Sequence, residues 1–364
     1  MKPATKEKII AACRIVVAVV FIFSGLSKII DPYGTALKTA EYLSAMGLDF
    51  ARPAAELLAV VQITFELTLG IVLLTRILRR LATFAAFAAM LFFTLLTLWL
   101  AVWNPIEDCG CFGQIVVLTN WQTFFKNLII LPLSLVAWRA GRSERLLPRV
   151  ATWWVVTAVI AAVVALVALW NLTMLPPVDL TPFKKGTDLR LAEPTRPADG
   201  ATQIVCRNRL SGKLSRFDPA DSVWWNESEW EFVETLTDGR SGHSVEVTKA
   251  DFAIFDGATN VTDSLLAPSD TLQIVCAVSL DRLPQHERQR LGEWAAEKLS
   301  AANRVICITA SPLSADDTFA GFGETTIRCY NADITLLQVL LRADFGVVSI
   351  VDGRITDKRS VAGL

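Results

Sequence analysis

The apolar positions of this chain come in blocks. Segments near 9–30, 54–76, 81–103, 121–140 and 150–173 each hold about the 20 mostly apolar residues that a helix needs to cross hydrocarbon. Five membrane helices is the simplest reading. The first block follows "MKPATKEK", which has the charged start of a signal peptide, but its apolar run is too long and no A-x-A cleavage site follows, so it is read as a membrane helix. From about residue 178 the pattern becomes short alternating runs and charged helix-like runs, which predicts a second, soluble part. There "TLQIVCAVSL" reads as a buried strand, "PQHERQRLGEWAAEKLSAANR" as an amphipathic helix and "VICITAS" as a strand. "ITLLQVLLRADFG" reads as a helix, and "VVSIVDGRITDKRS" as a hairpin turning at Asp352-Gly353. The predicted organisation is a membrane domain over 1–145, a fifth membrane helix with its linker over 146–177, a small β-rich segment over 178–250 and an α/β domain over 251–364.

Between the first two spans, "DPYGTALKTAEYLSAMGLDFARP" is long for a connection. Leu37, Ala40, Leu43 and Met46 recur at near-helical spacing, as in an interfacial helix over the end of the bundle or a solvated loop helix. Basic residues set the orientation. Lys2, Lys6 and Lys8, then Arg76, Arg79 and Arg80, then Arg139, Arg142, Arg145 and Arg149 fall on one side, whereas no lysine or arginine lies between Arg80 and Lys126. Basic loops stay cytoplasmic. This predicts a multi-pass protein of the cytoplasmic (inner) membrane, with its N-terminus inside and both the loop around residue 110 and the C-terminal domain outside, in the periplasm or its equivalent. Lys184 and Lys185 oppose that frame; Trp99, Trp103, Trp121 and Trp170 at outer helix ends and Trp138, Trp153 and Trp154 at inner ones support it.

Composition removes whole classes of function. The 364 residues are 52% hydrophobic with a net charge of -1, and mean hydropathy is +0.42. With no basic cluster interleaved with aromatics, nucleic acid is not an expected partner; the lipid bilayer is. The two histidines, His243 and His286, lie far from the paired cysteines, so no metal site is expected.

The candidate chemistry is "EDCGCFGQ". A thiolate attacks a disulfide sulfur, so a redox pair needs two thiols that can close a ring and be reached from outside. Cys109 and Cys111 can close one only over a sharp bend, which Gly110 permits, and a strained, exposed disulfide is the more easily reduced kind. Glu107 and Asp108 would raise the thiol pKa values, and Lys126 would lower them. A structural disulfide or two unpaired thiols are the competing readings. Of the other cysteines, Cys276 and Cys307 fall in apolar strands as core residues, Cys13 lies in the first span, and Cys206 and Cys329 are left open as a pair.

Ionisable groups inside spans are functional candidates because burying them alone is costly. At about 1.5 Å per residue, Lys28 and Glu56 lie near the outer surface, Glu66 roughly 18 Å deep and Arg14 roughly 24 Å deep. Two pairs follow, Lys28 with Glu56 and Arg14 with Glu66; the bland reading has both cations reaching to opposite surfaces.

Arg14, "FIFSGLSKIIDP" with Gly25, Lys28, Asp31 and Pro32, "AEYL", "LAVVQITFELTLGIVLL" with Glu66 and Gly70, and "CGCFG" together resemble the DoxX/MauE membrane proteins over roughly residues 8–140. "CGCFG" resembles the MauE-like branch. The resemblance implies a four-helix membrane bundle, here with a fifth transmembrane helix, associated with thiol and quinone redox work and with thioredoxin-like partners. Residues 251–364 are similar to a thioredoxin-like domain that has lost its site: "DRLPQHERQ" stands where C-x-x-C would, and Gly346 where a cis-proline would. The expected function is a thiol-disulfide oxidoreductase component that exchanges disulfides through Cys109/Cys111 with an extracytoplasmic thiol protein or thioredoxin-like partner, with quinone as the implied cofactor. The alternative is a non-enzymatic assembly protein with a stapled loop and a partner-binding tail.

Overall fold

The computed structural model describes residues 3–75, 78–106, 108–113, 115–141, 150–190, 202–208, 214–217, 230–237, 252–257, 259–267, 271–313 and 319–364. The membrane part is built from α1 (Pro3–Ile30), α2 (Pro32–Ala45), α3 (Ala55–Thr75), α4 (Arg79–Trp103), α5 (Asn120–Gly141) and α6 (Val150–Thr173). Among the described residues five of these, all but the short α2, are long and apolar enough to cross a membrane, α3 being extended outward by a 3-10 turn from Asp49.

α1 packs on α3 and α5, α4 on α5, and α6 on α3. Small residues set the closest seam. A Cβ at Gly25 would come within 2.7–2.9 Å of Leu67, and one at Gly70 within 2.8 Å of the Ile22 nitrogen, so these two glycines let α1 and α3 touch backbone to backbone. Polar glue holds the α4–α5 seam, where Asn127 Nδ2 donates to Thr97 Oγ1 at 3.2 Å. The outward faces stay apolar: Val155, Val159, Val163, Leu166 and Trp170 of α6 are all exposed, as a lipid-facing helix requires.

α2 is a true helix, started by Asp31, whose Oδ1 accepts from the Gly34 nitrogen at 2.8 Å, with Pro32 in the first turn, where its missing N–H costs nothing. Its buried residues are Pro32 to Ala36, while Met46 of the periodic stripe is exposed.

Beyond the spans, β1 (Thr202–Asn208), β2 (Leu214–Phe217) and β3 (Trp230–Thr237) form an antiparallel sheet in the order β2-β1-β3. A larger mixed sheet follows, from β4 (Phe255–Asp256), β5 (Thr259–Asn260), β6 (Thr271–Ala277), β7 (Arg304–Thr309), β8 (Phe319–Phe322), β9 (Thr325–Asn331), β10 (Phe345–Val351) and β11 (Arg354–Ser360). Its order is β11-β10-β6-β7-β9-β4-β5, with β8 on β9. β6, β7 and β9 are parallel, whereas β10 and β11 run antiparallel to their neighbours. The hairpin turns where the sequence predicts, with Asp352 at φ 50 and Gly353 at φ 72.

α7 (Thr262–Leu265) is a single turn; α8 (Gln285–Ser300) and α9 (Ile334–Leu341) cover the two faces of the sheet. Leu291 and Ala295 of α8 pack on Val275 and Cys307, and Leu336, Leu337 and Leu340 of α9 pack on Ile274, Ile308 and Val348. β6 is therefore buried on both sides, which is why "LQIVCA" reads as a continuous apolar run. Residues just after α6 join this core through Phe183 and Leu189. Lys358, itself buried, ties them down by donating to Asp179 Oδ2 at 2.6 Å and to the Phe183 carbonyl at 3.1 Å.

The sheet domain rests on the bundle where α1 turns into α2. Tyr33 donates to Asp344 Oδ1 at 2.6 Å, and Arg342 Nε lies 3.2 Å from Asp31 Oδ2. The loop carrying Cys109 and Cys111 occupies the same end, since Cys111 O accepts from Lys28 in the last turn of α1.

Candidate thiol-disulfide site

Cys109 and Cys111 are joined as a disulfide, with Cα atoms 5.4 Å apart. The bend between them has the predicted cause: Gly110 sits at φ 61, a left-handed conformation that costs glycine nothing. Gly113, at φ 56, closes the turn by donating its N–H to the Gly110 carbonyl at 3.0 Å. A side chain at 110 would also strike Lys38, whose Cγ lies 2.9 Å from the position of a Cβ. Gly110→Val is therefore expected to cost about 1–3 kcal/mol through backbone strain, read as a lower thermal midpoint of the purified protein.

Beneath the loop lies a buried polar cluster. Lys28 spends all three of its N–H donors, on Glu66 Oε2 at 2.8 Å, Ser24 Oγ at 2.7 Å and the Cys111 carbonyl at 2.7 Å. Gln62 Nε2 donates to the other Glu66 oxygen at 2.9 Å. Ser24 Oγ lies 2.6 Å from both Glu66 Oε2 and Cys111 O. Lys28 and Glu66 are each 2% exposed, so neither charge is screened by water and the pair depends on these contacts.

From the side, α2 holds the loop. Tyr42 donates to the Cys109 carbonyl at 2.7 Å, and Lys38 bridges Asp108 and Glu41, at 2.8 Å each. Burial first, then the charges of Asp108 and Glu41, push the Tyr42 pKa up, which keeps it a phenol donor. Burial works against the Lys38 charge, but Asp108 and Glu41 together outweigh it and the pKa rises. Asp108 also accepts from the Gly110 N–H at 3.0 Å. Its carboxylate thus binds both Lys38 and the loop backbone. Lys126 lies over the Phe112 ring, 4.0 Å from its centroid, and Phe112 meets Phe23 edge-on. Glu107 lies outside the described residues.

Cys109 is 6% exposed, Cys111 partly exposed, and an open cavity beside Cys109 and Gly110 is lined by Lys28, Asp31, Lys38, Tyr42 and Gln62.

Residues 6–140, which hold most of α1 to α5, four of them membrane-spanning by length and composition, and this loop, match the model of the family described as Methylamine utilisation protein MauE. This N-terminal part is MauE-like, and five helices of the described residues are long and apolar enough to cross a membrane. Comparison with curated proteins and with solved structures gave no match to the chain.

In the MauE-like domain two sequence expectations are corrected. Lys28 pairs with Glu66 and not with Glu56, and Arg14 does not reach Glu66 but donates to the Leu73 carbonyl and to Leu74 O at 3.3 Å. The depth count assumed that the end of α1 and the start of α3 lie level. In fact the Gly25–Leu67 contact sets their register, and the first turns of α3, including the exposed Glu56, overhang α1 and pack beside α2. Arg14 consequently meets the C-terminal carbonyls of α3, the negative end of a helix dipole.

Ser24, Gln62, Lys38 and Tyr42 escaped the sequence reading. Spacing held a partial signal: Ser24 stands four residues before Lys28, Gln62 four before Glu66 and Lys38 four before Tyr42, one helical turn each.

In the sheet domain α8 begins at Gln285 with no thiol at its start. Cys276 is 2% exposed, and burial pushes its thiol up to about 12. It is expected to resist alkylation at pH 7 until the chain is unfolded, since a group this far above the ambient pH carries only about 10⁻⁵ thiolate. Cys307 and Cys329 are free, buried and opposite each other on β7 and β9; their mutual hydrogen bond and burial raise the Cys307 thiol. Cys329 therefore has no disulfide to Cys206, whose side chain lies outside the described residues.

Proposed function

We propose that this protein is a thiol-disulfide exchange component of the cytoplasmic membrane, with Cys109 and Cys111 as its redox pair and an extracytoplasmic thiol protein as its partner. The observation that carries this reading is the setting of the pair: a disulfide beside an open cavity, with the Lys28 ammonium on the Cys111 carbonyl and Lys126 over the Phe112 ring. A cation on the backbone of Cys111 favours the thiolate form of a leaving sulfur on that residue, which is what exchange requires.

The step balances without a further reactant. A partner thiolate attacks one loop sulfur, the Cys109–Cys111 bond breaks, and the other loop sulfur leaves as a thiolate. A second partner thiolate then attacks the mixed disulfide, so that the partner ends oxidised and the loop ends as two thiols carrying the partner's protons.

Quinone does not fit this cavity. Its room of about 30 Å³ holds one or two waters and not a quinone ring, so no step is routed through one.

The sheet domain is thioredoxin-like in this reading. The support is the strand order β11-β10-β6-β7, with β6 and β7 parallel and α8 between them. Lacking a thiol where α8 begins, it recruits a partner rather than reacting.

The burial of Cys109 favours a second reading, a loop staple in a scaffold protein. Trapping separates the two. Cys111→Ser and Cys109→Ser each leave one loop thiol, and at least one is expected to accumulate mixed disulfides with an extracytoplasmic protein in membranes; no adduct with either variant assigns the pair to the staple. An equilibrium potential below about -300 mV would do the same, because such bonds resist cellular reductants. Orientation has its own test: the thiols of the pair, once reduced, are expected to react with an impermeant maleimide in intact cells. Labelling only after permeabilisation would place the loop inside.

A further inference from the structure

We infer that α2 is a lever through which the sheet domain positions the dithiol loop, so that Arg342 and Asp344, far along the chain, are positioning residues for Cys109 and Cys111. One rigid helix of 14 residues makes both sets of contacts. At its start Asp31 meets Arg342, and Tyr33 donates to Asp344. Further along, Lys38 grips Asp108 and lies over Gly110, and Tyr42 holds the Cys109 carbonyl. A shift of the sheet domain is thus a shift of α2, and a shift of α2 is a shift of the bend between the two sulfurs.

The joint is built for this. Asp31 uses Oδ1 to cap α2 and turns Oδ2 to Arg342, and a Cβ at Gly34 would come within 2.4 Å of that second oxygen, so glycine keeps the carboxylate free to face the sheet domain. Arg342 ends α9 at φ 54, a left-handed position that favours glycine or asparagine. The chain places arginine there, 5% exposed, and its guanidinium crosses to a carboxylate of 6% exposure. A buried charge pair at a strained backbone position holds two units in one relative placement. Asp31 also lines the cavity beside Cys109, so the joint forms part of the wall of the candidate site.

The proposal rests on the redox reading for its use, but not for its test, which asks only how fast the loop disulfide is reduced. The full chain in membranes is treated with an impermeant phosphine, and reduction of Cys109–Cys111 is followed by alkylation and peptide mass. Arg342→Ala, Asp344→Asn and Tyr33→Phe are compared with Lys185→Ala, which removes an exposed ion pair to Asp357 on the same domain. Releasing the lever is expected to raise the rate roughly tenfold in Arg342→Ala and several-fold in Tyr33→Phe and Asp344→Asn, by making local opening of the loop easier. Arg342→Lys, which keeps the charge, is expected to restore most of the wild-type rate. Should Arg342→Ala fail to fold, Tyr33→Phe decides, since it removes one hydroxyl and leaves the packing of α2. Wild-type rates in the folded variants, or an equal rise in Lys185→Ala, would overturn the lever. A pair that forms no mixed disulfide yet shows these rates would retire the redox reading and leave the lever standing.

Discussion

Lys28→Met is expected to destabilise the membrane bundle by about 3–5 kcal/mol, the cost of leaving a buried charge without its partner. The loss falls on more than one group. Glu66 loses its cation, Ser24 loses a donor, and the Cys111 carbonyl loses the ammonium beneath it. Glu66→Leu alone is expected to cost about as much, because it strands Lys28 in the same pocket. The double variant Lys28→Met/Glu66→Leu should cost clearly less than either single change, since a buried pair replaced by apolar groups of similar size no longer needs compensation. Thermal unfolding of the three variants in detergent, compared as a double-mutant cycle, checks this. Additive losses would mean that the two side chains act separately. Both single variants are also expected to let the Cys109–Cys111 disulfide be reduced faster than in wild type.

That ion pair marks where the sequence stopped being readable. The spans could be read because crossing hydrocarbon demands about 20 apolar residues whatever they pack against. The Cys109-Gly110-Cys111 bend could be read because it is local: two paired cysteines one residue apart need a residue between them that tolerates positive φ, and Gly110 supplies it. The partner of Lys28 is not local. It depends on how far α3 slides along α1, and hydropathy cannot fix that slide to better than a turn or two. What fixes it is Gly25 against Leu67 and Gly70 against Ile22, contacts visible in the sequence only as glycines in apolar runs. The joint between Tyr33 and Asp344 spans 311 positions, and neither residue type has a spacing that announces it. In the sheet domain β6, β7, the terminal hairpin, α8 and α9 were legible from period and composition, whereas β4, β5, β8 and β9 were not. In the legible elements local patterning and the final fold agree.

The same glycine seam carries the second large effect. Gly70→Leu is expected to prevent α1 and α3 from meeting, because the new Cβ would lie 2.8 Å from the Ile22 nitrogen and 3.0 Å from the Ala18 carbonyl. Those are backbone atoms, so no rotamer change relieves the clash and the helices themselves must part. Overpacking of this kind costs about 1–3 kcal/mol where side chains can yield, and more where they cannot. Gly25→Leu should behave alike, its Cβ falling 2.8 Å from the Leu67 nitrogen and 2.9 Å from its Cα. The consequence reaches the thiols: Lys28 lies one turn beyond Gly25 and Glu66 one residue before Leu67, so helices pushed apart at this seam pull the pair apart and release the Cys111 carbonyl. Gly70→Ala is the graded control, adding the clashing Cβ but no further bulk. The expected order of thermal midpoints is wild type, then Gly70→Ala, then Gly70→Leu, with reduction of the loop disulfide quickening in the same order. A Gly70→Leu protein as stable as wild type, with an unchanged reduction rate, would mean that α1 and α3 do not meet at this seam, and the placement of Lys28 on Glu66 would fall with it.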